Sequence, residues 1–311
     1  MIHHPTKILV FGKNGQLGKA FQELFQDNSH VIFVDRKMCD LTQTSQIKST
    51  LNQYQPQIIF NAAAFTAVDL AEKESATAFA INARAPEVMA QYIHQTPQGL
   101  LVHFSTDYVF DGLKKIPYQE TDTPNPLSQY GKSKLVGEQM IQSVFAPSNS
   151  TTSSFLILRT SWVYGDGGNF IKTMLKLAQE REHLKVIADQ FGVPTSADWL
   201  AKTAQDLTQS QTPSGIYHAV PDGKTTWYEL ARFVIHTAKE LGLNLKAHPD
   251  NIQAIPATEY PLPAPRPYNS LMDNRQLKDV LNLPHASLFP EWQAPVREYV
   301  TNYIKQTKKL I

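Results

Sequence analysis

The hydrophobic positions of this chain form short unbroken runs that alternate with segments in which apolar residues recur every three or four positions. Five runs have the length and apolar composition of buried strands: residues 7–11, 31–34, 58–60, 100–104 and 155–158. The segments between them show helical periodicity, as at Leu17, Phe21 and Leu24. Strands that alternate with helices through short links predict an α/β fold with a doubly wound, mostly parallel sheet of the Rossmann type.

The second half of the chain continues this pattern less regularly. Apolar positions predict a helix at 170–178, short strands at 186–187 and 216–219, and a helix at 227–241 that Thr225 or Thr226 caps. Prolines crowd residues 255–267, which we expect to be loop, and a last helix is predicted at 294–305. We predict a dinucleotide-binding domain at 1–160 and a smaller α/β substrate-binding part at 161–311, with segments that return to the first domain.

A glycine-rich turn follows the first strand. Gly12, Gly15 and Gly18 have the spacing Gly-x-x-Gly-x-x-Gly between a strand and a helix. Such glycines let the backbone approach a pyrophosphate, and the helix N-terminus offers free N–H groups and a positive dipole end. The spacing is one residue longer than the usual fingerprint, so a glycine turn without a ligand is the alternative. The strand–turn–helix context favours dinucleotide binding.

Two charged residues after the second strand indicate different cofactors. Asp35 lies about twenty residues past the glycines, where a carboxylate accepts a ribose 2′-hydroxyl, whereas Arg36 would pair with a 2′-phosphate. NADH and NADPH are therefore both candidates. Asp40 is either the cap of the next helix or an adenine contact.

The ends of three later strands carry candidate site residues. Ala62, Ala63 and Ala64 follow the third strand, where small side chains let backbone lie flat against a ligand or pack tightly under a helix. Thr106 follows the fourth strand, and ligands of open α/β sheets bind at this carboxyl edge. Trp162 follows the fifth strand and either covers a sugar ring or belongs to the core.

Tyr130 and Lys134 carry the main chemical hypothesis. They stand four residues apart in a segment predicted to be helical from Ser128, so both side chains leave one face of the helix. A fixed ammonium lowers the pKa of a phenol from its ordinary value of about 10, which makes the tyrosine a usable proton donor or acceptor. Thr106 would hydrogen-bond a substrate carbonyl beside it. The pair alone is also compatible with a solvated helix face.

Composition narrows the function classes. The 311 residues carry a net charge of +1, which argues against a nucleic-acid binder that relies on bulk charge. Cys39 is the only cysteine, so no intrachain disulfide and no cysteine-built metal site is expected. His3 and His4 are expected to be a solvated end rather than metal ligands. Because we find no signal peptide and no membrane-length apolar run, we expect a cytoplasmic protein without a membrane partner.

Taken together, these motifs resemble the extended short-chain dehydrogenase/reductases. The glycine turn, Asn61-Ala-Ala-Ala, Ser105-Thr-Asp and Tyr130-x-x-x-Lys134 occur in that family's order, and residues 159–164, 189–195 and 266–271 are similar to its dTDP-sugar reductases. The resemblance implies reduction of the C4 ketone of dTDP-4-dehydro-L-rhamnose by NADPH or NADH, a step that supplies cell-surface polysaccharide. It also implies a dTDP-sugar as the substrate and is compatible with a homodimer.

The resemblance assigns roles residue by residue. Thr106, Tyr130 and Lys134 take the catalytic roles, while Asp107 and Trp162 join Thr106 at positions that contact the sugar. Arg266, held between two prolines, is a candidate for the diphosphate because a guanidinium offers paired N–H groups. With the glycines of the turn, the cofactor set is Gly12, Gly15, Gln16, Leu17, Gly18, Asp35, Asp40, Leu41, Ala63, Ala64, Thr66, Tyr130 and Lys134.

Two positions depart from the family pattern. Ala20 stands where some members carry a glutamate associated with a metal-linked dimer, so neither that metal nor that dimer is implied here. Phe65 stands where a histidine is common.

Three alternatives are open to a chain with these motifs. A nucleotide-sugar dehydratase carries an acidic pair after the threonine, and Tyr108 after Asp107 disfavours it. A nucleotide-sugar epimerase would keep its cofactor bound and show no net consumption of reduced nicotinamide. A non-catalytic protein similar to the regulatory subunit of methionine adenosyltransferase would bind a dinucleotide and a partner enzyme without turnover.

Overall fold

The computed structural model describes residues 6–146, 152–210, 212–281 and 289–308, so His3 and His4 lie outside the described residues. In the first half, strands and helices alternate as the apolar runs predict. They are β1 (Ile8–Phe11), α1 (Gln16–Leu24), β2 (Val31–Val34), α2 (Thr44–Tyr54), β3 (Ile58–Asn61), α3 (Val68–Ala71), α4 (Ser75–Phe79), α5 (Ala85–His94), β4 (Leu100–Thr106), α6 (Gln129–Phe145) and β5 (Ser154–Thr160). A π-helical turn, Ala80–Arg84, joins α4 to α5.

The second half has shorter strands and longer connections. Its elements are β6 (Val163–Tyr164), α7 (Phe170–Glu180), β7 (Leu184–Ile187), β8 (Phe191–Gly192), β9 (Thr195–Ser196), α8 (Ala197–Gln209), β10 (Gly215–His218), β11 (Thr225–Thr226), α9 (Trp227–Glu240), β12 (Ile252–Ile255), α10 (Arg275–Leu281) and α11 (Gln293–Lys308). The segment that we expected to be loop contains a 3-10 turn, Ala257–Glu259.

The central sheet of the described chain has six parallel strands in the order β2–β1–β3–β4–β5–β10. The chain leaves β1 for β2 on one side and then crosses to β3 on the other, so the strand order reverses beside β1. Such a reversal opens a crevice at the carboxyl ends of the strands. The predicted doubly wound parallel sheet is confirmed, and β10 comes from beyond residue 160.

Alternating strand side chains bury the sheet between two apolar layers. In β1, Val10 contacts one layer, which α1 and α8 supply, whereas Leu9 and Phe11 contact the other, which α2 and α5 supply. A third apolar cluster lies in the second half, among α7, α9 and α11. None of the helices in the described residues has the length and apolar character that crossing a membrane requires.

Candidate active site

A cleft of about 470 Å³ opens where the glycine turn meets the carboxyl ends of the strands. Its volume lies in the range of small-molecule and cofactor sites. The structure brings twelve of the predicted cofactor residues into its wall: Gly12, Gly15, Gln16, Leu17, Asp35, Asp40, Leu41, Ala63, Ala64, Thr66, Tyr130 and Lys134.

The glycine turn exposes backbone to the cleft. Gly12 has φ +91°, and a Cβ there would lie 2.7 Å from the backbone of Ala62 and Ala63. Gly15 precedes α1 without a side-chain cap, so the first N–H groups of the helix are available to an anion. Gly18 does not line the cleft, and its place in the cofactor set stays a prediction. A Cβ there would lie 2.1 Å from the Gly12 carbonyl oxygen, so its role is close packing.

The acidic residues at the far end of the cleft are held by their own turns. Asp35 Oδ1 accepts from the backbone N–H groups of Lys37 and Met38 at 2.9 and 3.1 Å, which hold the pKa of that carboxyl below its usual value. Asp40 Oδ1 accepts from Thr42 N and Oγ1, and α2 begins after Gln43, so Asp40 is not the cap of that helix.

Helix α6 begins where the sequence predicts. Ser128 Oγ accepts from Gly131 N at 3.1 Å, and a Cβ on Gly131 would lie 2.2 Å from the Tyr108 carbonyl oxygen. This cap and this close contact fix the first turn of α6 against the turn that follows β4. Tyr130 and Lys134 are buried on that helix, and both line the cleft.

The electrostatics of Tyr130 differ from our expectation. Burial raises the pKa of Tyr130 to about 12; a hydrogen bond with Thr106 lowers it and the charge of Asp107 raises it. Lys134 does not depress this pKa, because its Nζ donates to the Phe104 carbonyl oxygen and contacts His103 Nε2 at 3.2 Å. Tyr130 is therefore protonated at neutral pH, which is the state that a proton donor needs.

The predicted substrate residue Thr106 lies beside the phenol. Its hydroxyl donates to Asp107 Oδ1 at 3.0 Å and accepts from Tyr108 N at 3.2 Å. Asp107 is buried, and burial raises the pKa of its carboxyl to about 6, although Ser270 and Thr106 favour the ionised form. Thr106, Asp107 and Tyr130 thus form one buried polar cluster at the cleft.

None of the four predicted substrate residues, Thr106, Asp107, Trp162 and Arg266, is part of the cleft wall. Trp162 has φ +47° and stacks on Trp227, with ring centroids 3.5 Å apart, while Gly192 packs against its indole. Arg266 pairs with Asp69, Nη1 to Oδ1 at 2.5 Å and Nη2 to Oδ2 at 2.7 Å. One edge of the guanidinium is therefore already occupied. Their contacts with sugar and diphosphate stay predictions.

Sequence reasoning missed the residues that come to the site from a distance. Ile81, Val163 and Leu200 also line the cleft, although no local motif marks them. His103 and Glu138 flank Lys134, and His103 did leave a signal as the polar residue in an apolar run.

A buried ion pair supports the lysine. Arg159 Nε and Nη2 donate to the Glu138 carboxylate at 3.0 and 2.7 Å, and both side chains are inaccessible to solvent. Glu138 lies one turn beyond Lys134 on α6 and favours its charged form. Burial is the stronger influence, and the pKa of Lys134 is lowered to about 8.

Comparisons with known proteins agree with this geometry. Residues 6–305 match the family model described as RmlD substrate binding domain. The chain is 39% identical to a dTDP-4-dehydrorhamnose reductase of Salmonella typhimurium and 40% identical to that of Escherichia coli K12, each over 96% of this chain and 99% of the relative.

A solved structure shows the same fold. The dTDP-4-dehydrorhamnose reductase of Bacillus anthracis, determined in complex with NADP, has a TM-score of 0.84 and 32% identity over 97% of this chain and all of its own. The chain therefore belongs to the RmlD substrate binding domain family, and the Salmonella typhimurium and Escherichia coli relatives carry the name dTDP-4-dehydrorhamnose reductase.

Proposed function

We propose that this chain is an oxidoreductase that uses NADPH or NADH to reduce the C4 ketone of dTDP-4-dehydro-L-rhamnose, which makes dTDP-L-rhamnose. The observation that carries the proposal is a protonated, buried Tyr130 at the wall of a dinucleotide-sized cleft, next to Thr106 and Lys134. The two relatives described above are named for this reaction, and the chain matches them over nearly their whole length.

The cleft fits a nicotinamide dinucleotide. An uncapped helix N-terminus and a glycine that leaves no room for a Cβ suit the pyrophosphate, and the alanines after β3 let backbone lie against a planar ring. When bound, the reduced nicotinamide supplies a hydride to the ketone carbon.

Each catalytic residue has one task. Thr106 orients the carbonyl through its hydroxyl, and Tyr130 gives its proton to the oxygen as negative charge develops there. Lys134, which lines the cleft, holds the cofactor ribose. We also propose that residues 1–160 mainly bind the cofactor and 161–311 mainly the sugar nucleotide, with β10 returning to the sheet. A homodimer stays a prediction.

Replacing Tyr130 with Phe tests the reaction. The substitution keeps the ring and removes the proton donor, so we expect kcat to fall by about a hundred- to ten-thousand-fold while cofactor binding is nearly unchanged. The measurement follows the absorbance of reduced nicotinamide with the 4-keto sugar nucleotide. Tyr92→Phe on α5 is the matched control and should keep full activity. Unchanged turnover in Tyr130→Phe contradicts the assignment, and no net oxidation by the unaltered protein favours an epimerase or a non-catalytic binder.

We further propose that Arg36 gives a preference for NADPH. Arg36 is exposed at the cleft wall, whereas the neighbouring Asp35 carboxylate is engaged by backbone N–H groups. A charge-assisted hydrogen bond contributes about 1.5–3 kcal/mol, so Arg36→Ala should raise KM for NADPH by about ten- to a hundredfold and leave KM for NADH unchanged. Lys37→Ala, outside the wall, is the control. Equal effects on both cofactors would rule out recognition of the 2′-phosphate.

A further inference from the structure

His103 is a buried polar residue of β4 that the proposed reaction does not use directly. Its Nδ1 lies 3.0 Å from Asn61 Nδ2, at the end of β3, and its Nε2 lies 3.2 Å from Lys134 Nζ. The imidazole therefore links the end of β3 to the lysine of α6.

The neighbours of His103 decide which nitrogen carries its proton. Burial and the charge of Lys134 lower the pKa of His103 well below 6.5, so the ring is neutral and has one N–H. An ammonium can only donate, so Nε2 must accept from Lys134 Nζ. The proton of the ring is therefore on Nδ1.

This tautomer requires an acceptor opposite Nδ1. Asn61 Oδ1 has no hydrogen-bond partner among the described residues, whereas Asn61 Nδ2, a donor, faces Nδ1. The two ends of an amide have nearly the same shape, and a half-turn of the Asn61 side chain lets Oδ1 accept from Nδ1–H. Asn61, His103 and Lys134 then form a consistent chain of donors and acceptors.

We propose that His103 is a positioning residue for Lys134: as the Nδ1–H tautomer anchored by Asn61, it accepts one N–H of the ammonium and fixes Nζ at the cleft. The Phe104 carbonyl oxygen accepts a second N–H at 2.5 Å. The third is left for the cleft, whose wall includes Lys134. The inference deepens the proposed function and rests on it for the role of Lys134.

The charges around Lys134 determine how pH acts on this arrangement. The ionisable groups on α6 besides Lys134 are Tyr130, Lys132 and Glu138, and the elements packed against it carry Asp69, Arg84, Glu87, Tyr92, His94, His103, Asp107, Tyr108 and Arg159. Arg159 is paired with Glu138 and Asp69 with Arg266, while Arg84 and Glu87 pair with each other at the surface. Loss of the His103 acceptor would leave the buried ammonium with one of its two hydrogen-bond acceptors, the Phe104 carbonyl oxygen, so Lys134 should lose its proton at lower pH.

The tautomer can be measured without any assay of turnover. Protein labelled with ¹⁵N in its histidines should show one ring with Nδ1 protonated and Nε2 unprotonated, and this signal should not titrate between about pH 5.5 and pH 8.5. The spectrum of His103→Gln, which lacks the signal, assigns it. A protonated Nε2, or a ring that titrates near its ordinary pKa, overturns the proposal.

Kinetics then test the positioning. In His103→Leu the alkaline decline of kcat/KM should begin about one pH unit lower, and kcat should fall at pH values above this decline. His103→Gln should restore the pH of the decline because its Oε1 can accept from Lys134, and His94→Leu, a matched control on α5, should leave it unchanged. A decline that does not move in His103→Leu overturns the proposal. If that variant does not fold, the tautomer measurement decides. If the unaltered protein shows no reductase activity, the proposed function fails while the tautomer result still stands.

Discussion

At the scale of the residue, the site contains a carboxyl group, that of Asp107, whose burial disfavours its charged form. Asp107 is buried beside Thr106, and its pKa is raised to about 6. A carboxyl whose pKa is higher in the folded than in the unfolded protein reduces stability once it ionises in the unfolded chain. Stability from this group is therefore greatest at low pH, falls as pH rises from about 4 to 6, and is constant above. At neutral pH the buried Asp107 carboxylate therefore lowers the free energy of unfolding.

We predict that Asp107→Asn stabilises the fold and impairs the reaction. The amide keeps an oxygen that accepts from Thr106 but carries no charge, so the free energy of unfolding should rise by about 1–3 kcal/mol at neutral pH. Urea unfolding should show this gain shrinking as pH falls towards 4. The exposed Asp27→Asn is the control. An Asn variant that is less stable at every pH would contradict the raised pKa.

At the scale of the element, α6 and β5 are joined by the Glu138–Arg159 pair. Both charges are fully buried, and Arg159 Nη1 has no hydrogen-bond partner among the described residues. Removing one charge leaves the other buried and uncompensated. The pair therefore fixes how α6, with its tyrosine and lysine, lies on the sheet.

Glu138→Gln should lower the free energy of unfolding by about 3–5 kcal/mol, because the guanidinium of Arg159 would be left without an anion. The double variant Glu138→Leu/Arg159→Met should lose less than Glu138→Gln, since it leaves no buried charge. Denaturant unfolding measures both. Glu87→Gln, which breaks an exposed pair with Arg84, should change stability by less than about 1 kcal/mol. A double variant that is the least stable of all would show that the pair contributes net stability.

The same helix shows which features local sequence can predict. Its start at Ser128 was predictable because a cap acts within three residues, and the strands were predictable because buried runs are contiguous. The π-helical turn was not. The side chain of Asn82, within this turn, hydrogen-bonds the backbone N–H and carbonyl of Phe65 and the hydroxyl of Ser133. The backbone carbonyl of Asn82 packs against Gly137, where a Cβ would lie 2.1 Å from its oxygen. These partners are distant in sequence, so no period or cap reveals them.

We expected Lys134 to lower the pKa of Tyr130, but burial raises it, and this burial could not be predicted from local sequence because it depends on the folded chain. A tyrosine four residues before a lysine predicts that the two groups share one face, and α6 confirms this. The spacing does not predict that Lys134 is drawn to the Phe104 carbonyl oxygen and to His103. Those acceptors lie on β4, and only the sheet brings them to the lysine.

At the scale of the whole molecule, one ion pair connects the two halves of the chain close to the reaction. Asp69 on α3 accepts from both terminal nitrogens of Arg266 and, at 3.0 Å, from the backbone N–H of Ala264. Arg266 also hydrogen-bonds Tyr108, whose ring meets that of Tyr130 edge to face at 5.6 Å. The proline-rich segment is thereby tied to the first half beside the catalytic phenol.

We predict that Asp69 and Arg266 act as one unit in binding the sugar nucleotide. Asp69→Asn and Arg266→Met should each raise KM for the sugar nucleotide by about tenfold with little change in KM for the cofactor, and the double variant should be no worse than either single one, because each removes the same tie. Steady-state kinetics of the four proteins measure this coupling. The exposed pair Arg232–Asp250 provides the control cycle, which should show no effect. A much larger loss in Arg266→Met than in Asp69→Asn would contradict this coupling and would support the predicted contact of the guanidinium with the diphosphate, since only that substitution removes the positive charge.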